Sequence, residues 1–239
     1  MNSVNLALLK ELPVPVQRYF KLFLKEEQAP IRVAHIRSSG ELRLSTTSAR
    51  WLPFSADQVV TPAIPSFSWN ARVDLPFGLH VRVLDGYAAG VGSGRVNLLS
   101  VLPIASDSNR PELNSGALHR YLAEAVWYPT ALLPQSGVHW QSVDEMTATA
   151  SLTDRAVTVS LDFRFDEVGH VISIFTPARW GRFDGTYKQA PWEGHFKSYE
   201  ERCGIHIPLY GEVGWYDSEE WRAVWRGSLS DVKYEFAVN

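Results

Sequence analysis

The chain has 239 residues, 45% of them hydrophobic, and a formal net charge of −3. That length suits one large domain, and the mild acidity disfavours nucleic acid and an anionic membrane as partners. The single cysteine, Cys203, excludes an internal disulfide and a cysteine-rich zinc site, and points to a reducing compartment such as the cytoplasm. The opening MNSVNLALLKELPVPVQRYF lacks the apolar run and small-residue cleavage site of a signal peptide. No apolar stretch reaches the ~18 residues of a membrane span. Aromatic residues are dense, with nine Trp, nine Tyr and eleven Phe, which suits strands and cavity walls.

In chain order, 1–30 reads as an N-terminal helical segment. A short helix is expected over 3–12 and a second over 16–26, with prolines 13, 15 and 30 closing them. Residues 31–104 form a first β block. Its opening part, Val33 to Leu44, reads as a bent strand or as a hairpin turning at Ser39-Gly40. Phe67, Trp69, Ala71 and Val73 alternate onto one face, and Leu79, Val81 and Val83 do the same later.

Residues 109–128 carry the one long helical period. Asn109 is expected to cap it, with Pro111 in the first turn and Glu112 in capping-box position. At about 100° per residue, Leu118, Tyr121, Leu122, Ala125 and Val126 share an apolar stripe, while Arg120, Glu124 and Trp127 share another. Residues 138–237 form a second β block, in which 157–165 alternates most strictly and DGTYKQAP (184–191) reads as a polar loop. The elements predict a single-domain α+β fold, mostly antiparallel. About eleven strands would form a large curved sheet or half-barrel whose concave face is covered by the central helix.

Signals for chemistry are sparse. Gly90-Val91-Gly92-Ser93-Gly94 runs into strand-like sequence rather than a helix, so a hairpin or bulge is expected there and not a phosphate loop. The histidines show no metal spacing, no GxSxG elbow occurs, and Cys203 with His206 reads as structural. No catalytic residue, metal ligand or cofactor is therefore assigned. The sharpest candidate is the Arg120–Glu124–Trp127 stripe, because a tryptophan on a wholly solvated helix face would be unusual. The expected ligand-binding set is Arg120, Glu124, Trp127 and Tyr128 with Trp69, Trp140, Arg179 and Trp192 from the strands.

Several stretches carry a resemblance: Leu12-Pro13 with Arg18-Tyr19-Phe20, Pro65 to Trp69, Arg120 to Pro129, Phe165 to Gly169, and Pro191 to Gly194. They resemble an uncharacterised bacterial domain-of-unknown-function family, which implies no particular activity. The order of elements is similar to LolA-like lipoprotein carriers, half-barrels whose helices cover an apolar concave face. That resemblance implies a cavity for a small hydrophobic or amphipathic, lipid-like ligand. Three functions are compatible with these signals. The first is ligand binding, with Arg120 or Glu124 at the polar end. The second is an enzyme using Glu124 as base and Arg120 as anion holder, and the third is a structural or partner-binding module using an exposed sheet edge or aromatic patch. Oligomeric state is left open.

Overall fold

The computed structural model describes residues 6–24 and 29–237. Residues 3–5, 25 and 26 of the two expected N-terminal helices lie outside them. A 3-10 turn spans Leu6–Glu11, and helix α1 spans Val14–Phe23. Over its described residues the first expected helix is a 3-10 turn, and Pro13 and Pro15 start the next helix at once. From α1, Val16, Tyr19, Phe20 and Phe23 enter the core.

Among the described residues, thirteen strands form one antiparallel sheet, two more than the sequence suggests. The first six are β1 (Ile31–Leu42), β2 (Leu52–Thr61), β3 (Ser66–Asp74), β4 (His80–Ala88), β5 (Val91–Leu98) and β6 (Leu102–Ser108). The others are β7 (Val138–Ser142), β8 (Thr147–Asp154), β9 (Val157–Phe165), β10 (Val171–Phe183), β11 (Thr186–Arg202), β12 (Ile205–Asp217) and β13 (Glu220–Phe236). The order β6-β5-β4-β3-β2-β1-β13-β12-β11-β10-β9-β8-β7 makes two meanders joined at the β1–β13 seam. Helix α2 (Pro111–Glu124) carries the chain from one sheet edge to the other.

Several expectations need correction. Of the two readings of Val33 to Leu44, the strand holds and the hairpin does not: β1 continues through Ser39-Gly40 with a register shift against β13 at Arg37/Ser38, and a Cβ on Gly40 would collide with the Arg226 carbonyl oxygen of β13. Residues 184–191 are not a loop. Asp184-Gly185 makes a two-residue turn with both φ angles positive (50° and 81°), and β11 starts at Thr186. Pro191 is tolerated because it faces the irregularity between Thr176 and Arg179, where the β10 ladder is broken. Asn109 does not cap α2. It sits at φ 56°, its N–H donates to the Gly92 carbonyl (3.0 Å), and its side-chain oxygen accepts from Asn114 (3.3 Å). Asn114 in turn accepts the Gly92 N–H at 2.8 Å, which ties the helix start to β5.

Both arms of the sheet curl onto α2, which packs against β4 and β5 on one side and β9 and β10 on the other. The Asp154 carboxylate closes the curl by accepting from the Tyr87 hydroxyl (2.9 Å) and the Gly90 N–H (3.0 Å) of the opposite arm. Gly92 is where the helix comes closest: a Cβ there would lie 2.7 Å from the Leu113 carbonyl oxygen. The apolar stripe Leu118, Tyr121, Leu122, Ala125 and Val126 is fully buried. No helix among the described residues is long and apolar enough to cross a membrane.

Candidate ligand cavity with two half-buried arginines

The C-terminal half of α2 does not touch the whole sheet. Arg120, Ala123, Glu124 and Trp127 look across a cavity of about 400 Å³ toward Trp69 and Val83 on one arm and Trp192, Phe196, Val213, Trp215 and Trp225 on the other. That volume falls among small-molecule sites, roughly 300–1,000 Å³. A second cavity, of about 370 Å³, lies along the N-terminal half of α2 and shares Asp85, Arg120, Arg179 and Trp215 with the first. The charged residues therefore form a septum between two clefts, each partly open to solvent.

Arg120 is paired with two carboxylates. Its Nε donates to Glu124 Oε1 at 2.7 Å and its Nη1 to Asp85 Oδ2 at 3.3 Å. Its guanidinium lies 5.1 Å from the Phe67 ring centre and 4.8 Å from that of Trp69. The other Glu124 oxygen accepts from Gln58 Nε2 at 2.6 Å. Burial works against the Arg120 charge, but the Glu124 and Asp85 carboxylates outweigh it and hold its pKa above the ordinary value. Burial pushes the Asp85 carboxyl up, against the pull of Arg120. Asp85 is ringed by protein, yet 39% of its side-chain surface remains open, because it faces the cavities rather than packed atoms.

Arg179 is held differently. Its Nη2 donates to the Gly116 carbonyl at 2.9 Å, while its Nε is buried without a hydrogen-bond partner. The guanidinium sits between Trp192 (4.6 Å) and Trp215 (5.2 Å). No ion pair to it forms among the described residues. Burial, and then repulsion from Arg120, lower its pKa to about 10, so it stays charged at neutral pH. Behind it, burial and then the Arg179 charge lower the pKa of His119 to about 4, which leaves that imidazole neutral.

The structure brings six of the eight predicted residues to this cavity: Trp69, Arg120, Glu124, Trp127, Arg179 and Trp192. Tyr128 and Trp140 lie elsewhere. Tyr128 is fully buried, its hydroxyl on the Tyr121 carbonyl (2.7 Å), and Trp140 packs on Phe163 with its N–H on the Leu132 carbonyl (2.9 Å). Trp127 is buried and donates to the Pro208 carbonyl at 3.1 Å. Sequence reasoning missed Asp85 and Gln58. Both occupy inward positions of otherwise apolar alternations, Val81-Val83-Asp85-Tyr87 and Phe54-Ala56-Gln58-Val60, and that break in pattern was the available signal. No group of three or more potential metal ligands occurs among the described residues.

Fold and cavity together define a curled antiparallel sheet wrapped around one helix, with a charged septum inside an aromatic interior. Residues 10–234 match DUF6920, a family of unknown function, and the chain belongs to that family. No curated protein matches it. Among solved structures it is similar to a LolA superfamily protein from Nitrosomonas europaea, at 10% identity over 94% of this chain and 93% of that one, with a TM-score of 0.47. It is also similar to a beta-barrel-like protein of the domain of unknown function DUF1849 from Brucella abortus, at 9% identity over 87% and 100% of the two chains, with a TM-score of 0.25. Likeness at these values does not bear on function.

Proposed function

We propose that the protein binds an amphipathic anion, such as a fatty acid or another molecule with an apolar tail and one carboxylate or phosphate. Its tail would lie in the tryptophan-lined cavity and its head on Arg179. The observation that carries this reading is the half-buried Arg179 guanidinium, held by one carbonyl and two indole faces and lacking a carboxylate partner. A buried guanidinium is costly to leave unpaired, and a planar acid supplies what it lacks. The head-group role thus moves from Arg120 and Glu124, which satisfy each other, to Arg179. Because both Glu124 oxygens are engaged, binding is favoured over base catalysis at this site. The lone thiol of Cys203 supports a reducing compartment, the cytoplasm.

Calorimetric titration with octanoate, decanoate, dodecanoate and myristate, and with the matching alcohols, tests this. Each added methylene should tighten binding about fourfold until the cavity is full. Acids should bind about tenfold or more tighter than alcohols, a preference that Arg179→Met removes. Acid and alcohol binding equally, or no member of the series binding, would rule the proposal out.

A further inference from the structure

The antiparallel registers place three hairpin tips along one rim of the sheet. Leu42 pairs with Leu52, Asp74 with His80, and Leu98 with Leu102, so the β1–β2, β3–β4 and β5–β6 connections lie side by side. The last two touch, with His80 Nε2 3.0 Å from Ser100 Oγ and the Leu99 N–H on the His80 carbonyl at 2.9 Å. This rim is apolar where a solvated rim should be polar. Leu44 is 82% exposed, Phe77 100% and Val101 81%, and Leu79, Leu99 and Leu102 are exposed beside them. Single exposed apolar residues are unremarkable, but six along one rim are not.

The turns themselves break local preference. Phe77, Leu99 and Ser100 all hold left-handed φ angles, of 61°, 50° and 65°, at positions that favour Gly or Asn. The chain thus keeps a phenylalanine and a leucine at its tips where better turn formers exist, which is how functional positions depart from local rules.

Charge is distributed to match. Residues 43–106 contain five arginines against three aspartates, with no lysine or glutamate, although the whole chain is at −3. Arg72 and Arg82 are exposed cross-strand partners on the outer face behind the tips, and Arg95 and Arg50 are exposed nearby. The net acidity of the chain, which disfavours an anionic membrane, thus hides a basic arm. The cavity adds a third observation. Leu42, Arg43 and Leu44, which lead into the first tip, line it, so one end of the cavity reaches this rim.

We propose that this rim is a docking edge for an anionic lipid bilayer, with Phe77, Leu99 and Val101 entering the interface and the arginines meeting lipid phosphates. It gives the cavity a surface at which an amphipathic ligand is exchanged. It extends the ligand-binding reading but does not need a ligand for its test.

Flotation of the full chain with phosphatidylcholine vesicles, with and without phosphatidylglycerol, decides it. The wild type should float with phosphatidylglycerol-containing vesicles, and raised salt should release it. Combining Phe77→Ser with Val101→Ser should lower partitioning by about tenfold or more, with Tm unchanged because both side chains are exposed. Arg82→Glu with Arg95→Glu should do likewise, whereas Arg179→Met should float like the wild type even if it no longer binds decanoate. A wild type that stays in solution, or a tip variant that floats as well as the wild type, overturns the proposal. So does a dimer in sedimentation velocity that the tip variant dissolves while neither form floats, which would make the rim a contact between copies.

Discussion

The two half-buried arginines facing the cavity invite comparison, since both stack on aromatic pairs. Arg120 has two carboxylates, one of them further fixed by Gln58. Arg179 has one carbonyl and an orphaned Nε. The first arrangement is closed on itself and serves the fold, joining α2 to β2 and β4. The second leaves hydrogen-bonding capacity unused in a side chain that lines the cavity, which is the condition for binding something from outside. Burial alone does not separate a structural charge from a functional one; the state of its partners does.

The largest test of this contrast is Glu124→Leu. It leaves Arg120 with Asp85 alone and Gln58 without its acceptor; losing two charge-assisted hydrogen bonds should cost about 3–5 kcal/mol, read as a fall of roughly 10 °C in Tm. A loss under about 1 kcal/mol would show that the knot is not structural.

His119 provides the next test. Its folded pKa of about 4 lies below the ordinary 6.5, so the unfolded chain holds more protons than the folded one between those values. Stability should therefore fall by about 3 kcal/mol as pH drops from 6.5 to 4 and level off below. Denaturant titrations of wild type and His119→Asn across that window should show a slope that the variant flattens. Arg179→Met should change stability by no more than about 1 kcal/mol in either direction while abolishing acid selectivity, because it removes a charge without stranding another. The smallest expected effect is at Tyr19, whose hydroxyl is buried without a partner. Tyr19→Phe should be neutral or stabilising by up to about 1 kcal/mol, and a clear loss would reveal a partner, such as a water, at that hydroxyl.

Much of this was legible in the sequence. Strand alternations such as Phe67-Trp69-Ala71-Val73 and the stripe from Leu118 to Val126 require burial on one side, so the curved sheet and its central helix follow from period alone. The stripe grouping Trp127 with Arg120 was less secure. The α-helix gives way after Glu124 to a 3-10 turn, Ala125–Trp127, which re-aims the indole into the core. What period could not show was pairing. Nothing local to Arg120 or Glu124 announces that Asp85 and Gln58, on different strands, complete their hydrogen bonds. Nor does anything local to Arg179 announce that its Nε has none.

The β1–β13 seam has a kinetic consequence. Elsewhere in the sheet each strand pairs with a sequence neighbour, and at the seam Ile31 meets Phe236 across most of the chain. Closing so long a loop costs entropy that local hairpins do not incur, so the two meanders should form first and the seam should zip last. Pulsed hydrogen exchange during refolding would read this as late protection at Ala34, Ile36 and Val232, and early seam protection would refute it. Until the seam closes, β1 and β13 are bare edges in the middle of the future sheet. Release from the ribosome, rather than equilibrium stability, would then be the moment when this chain is most open to aggregation.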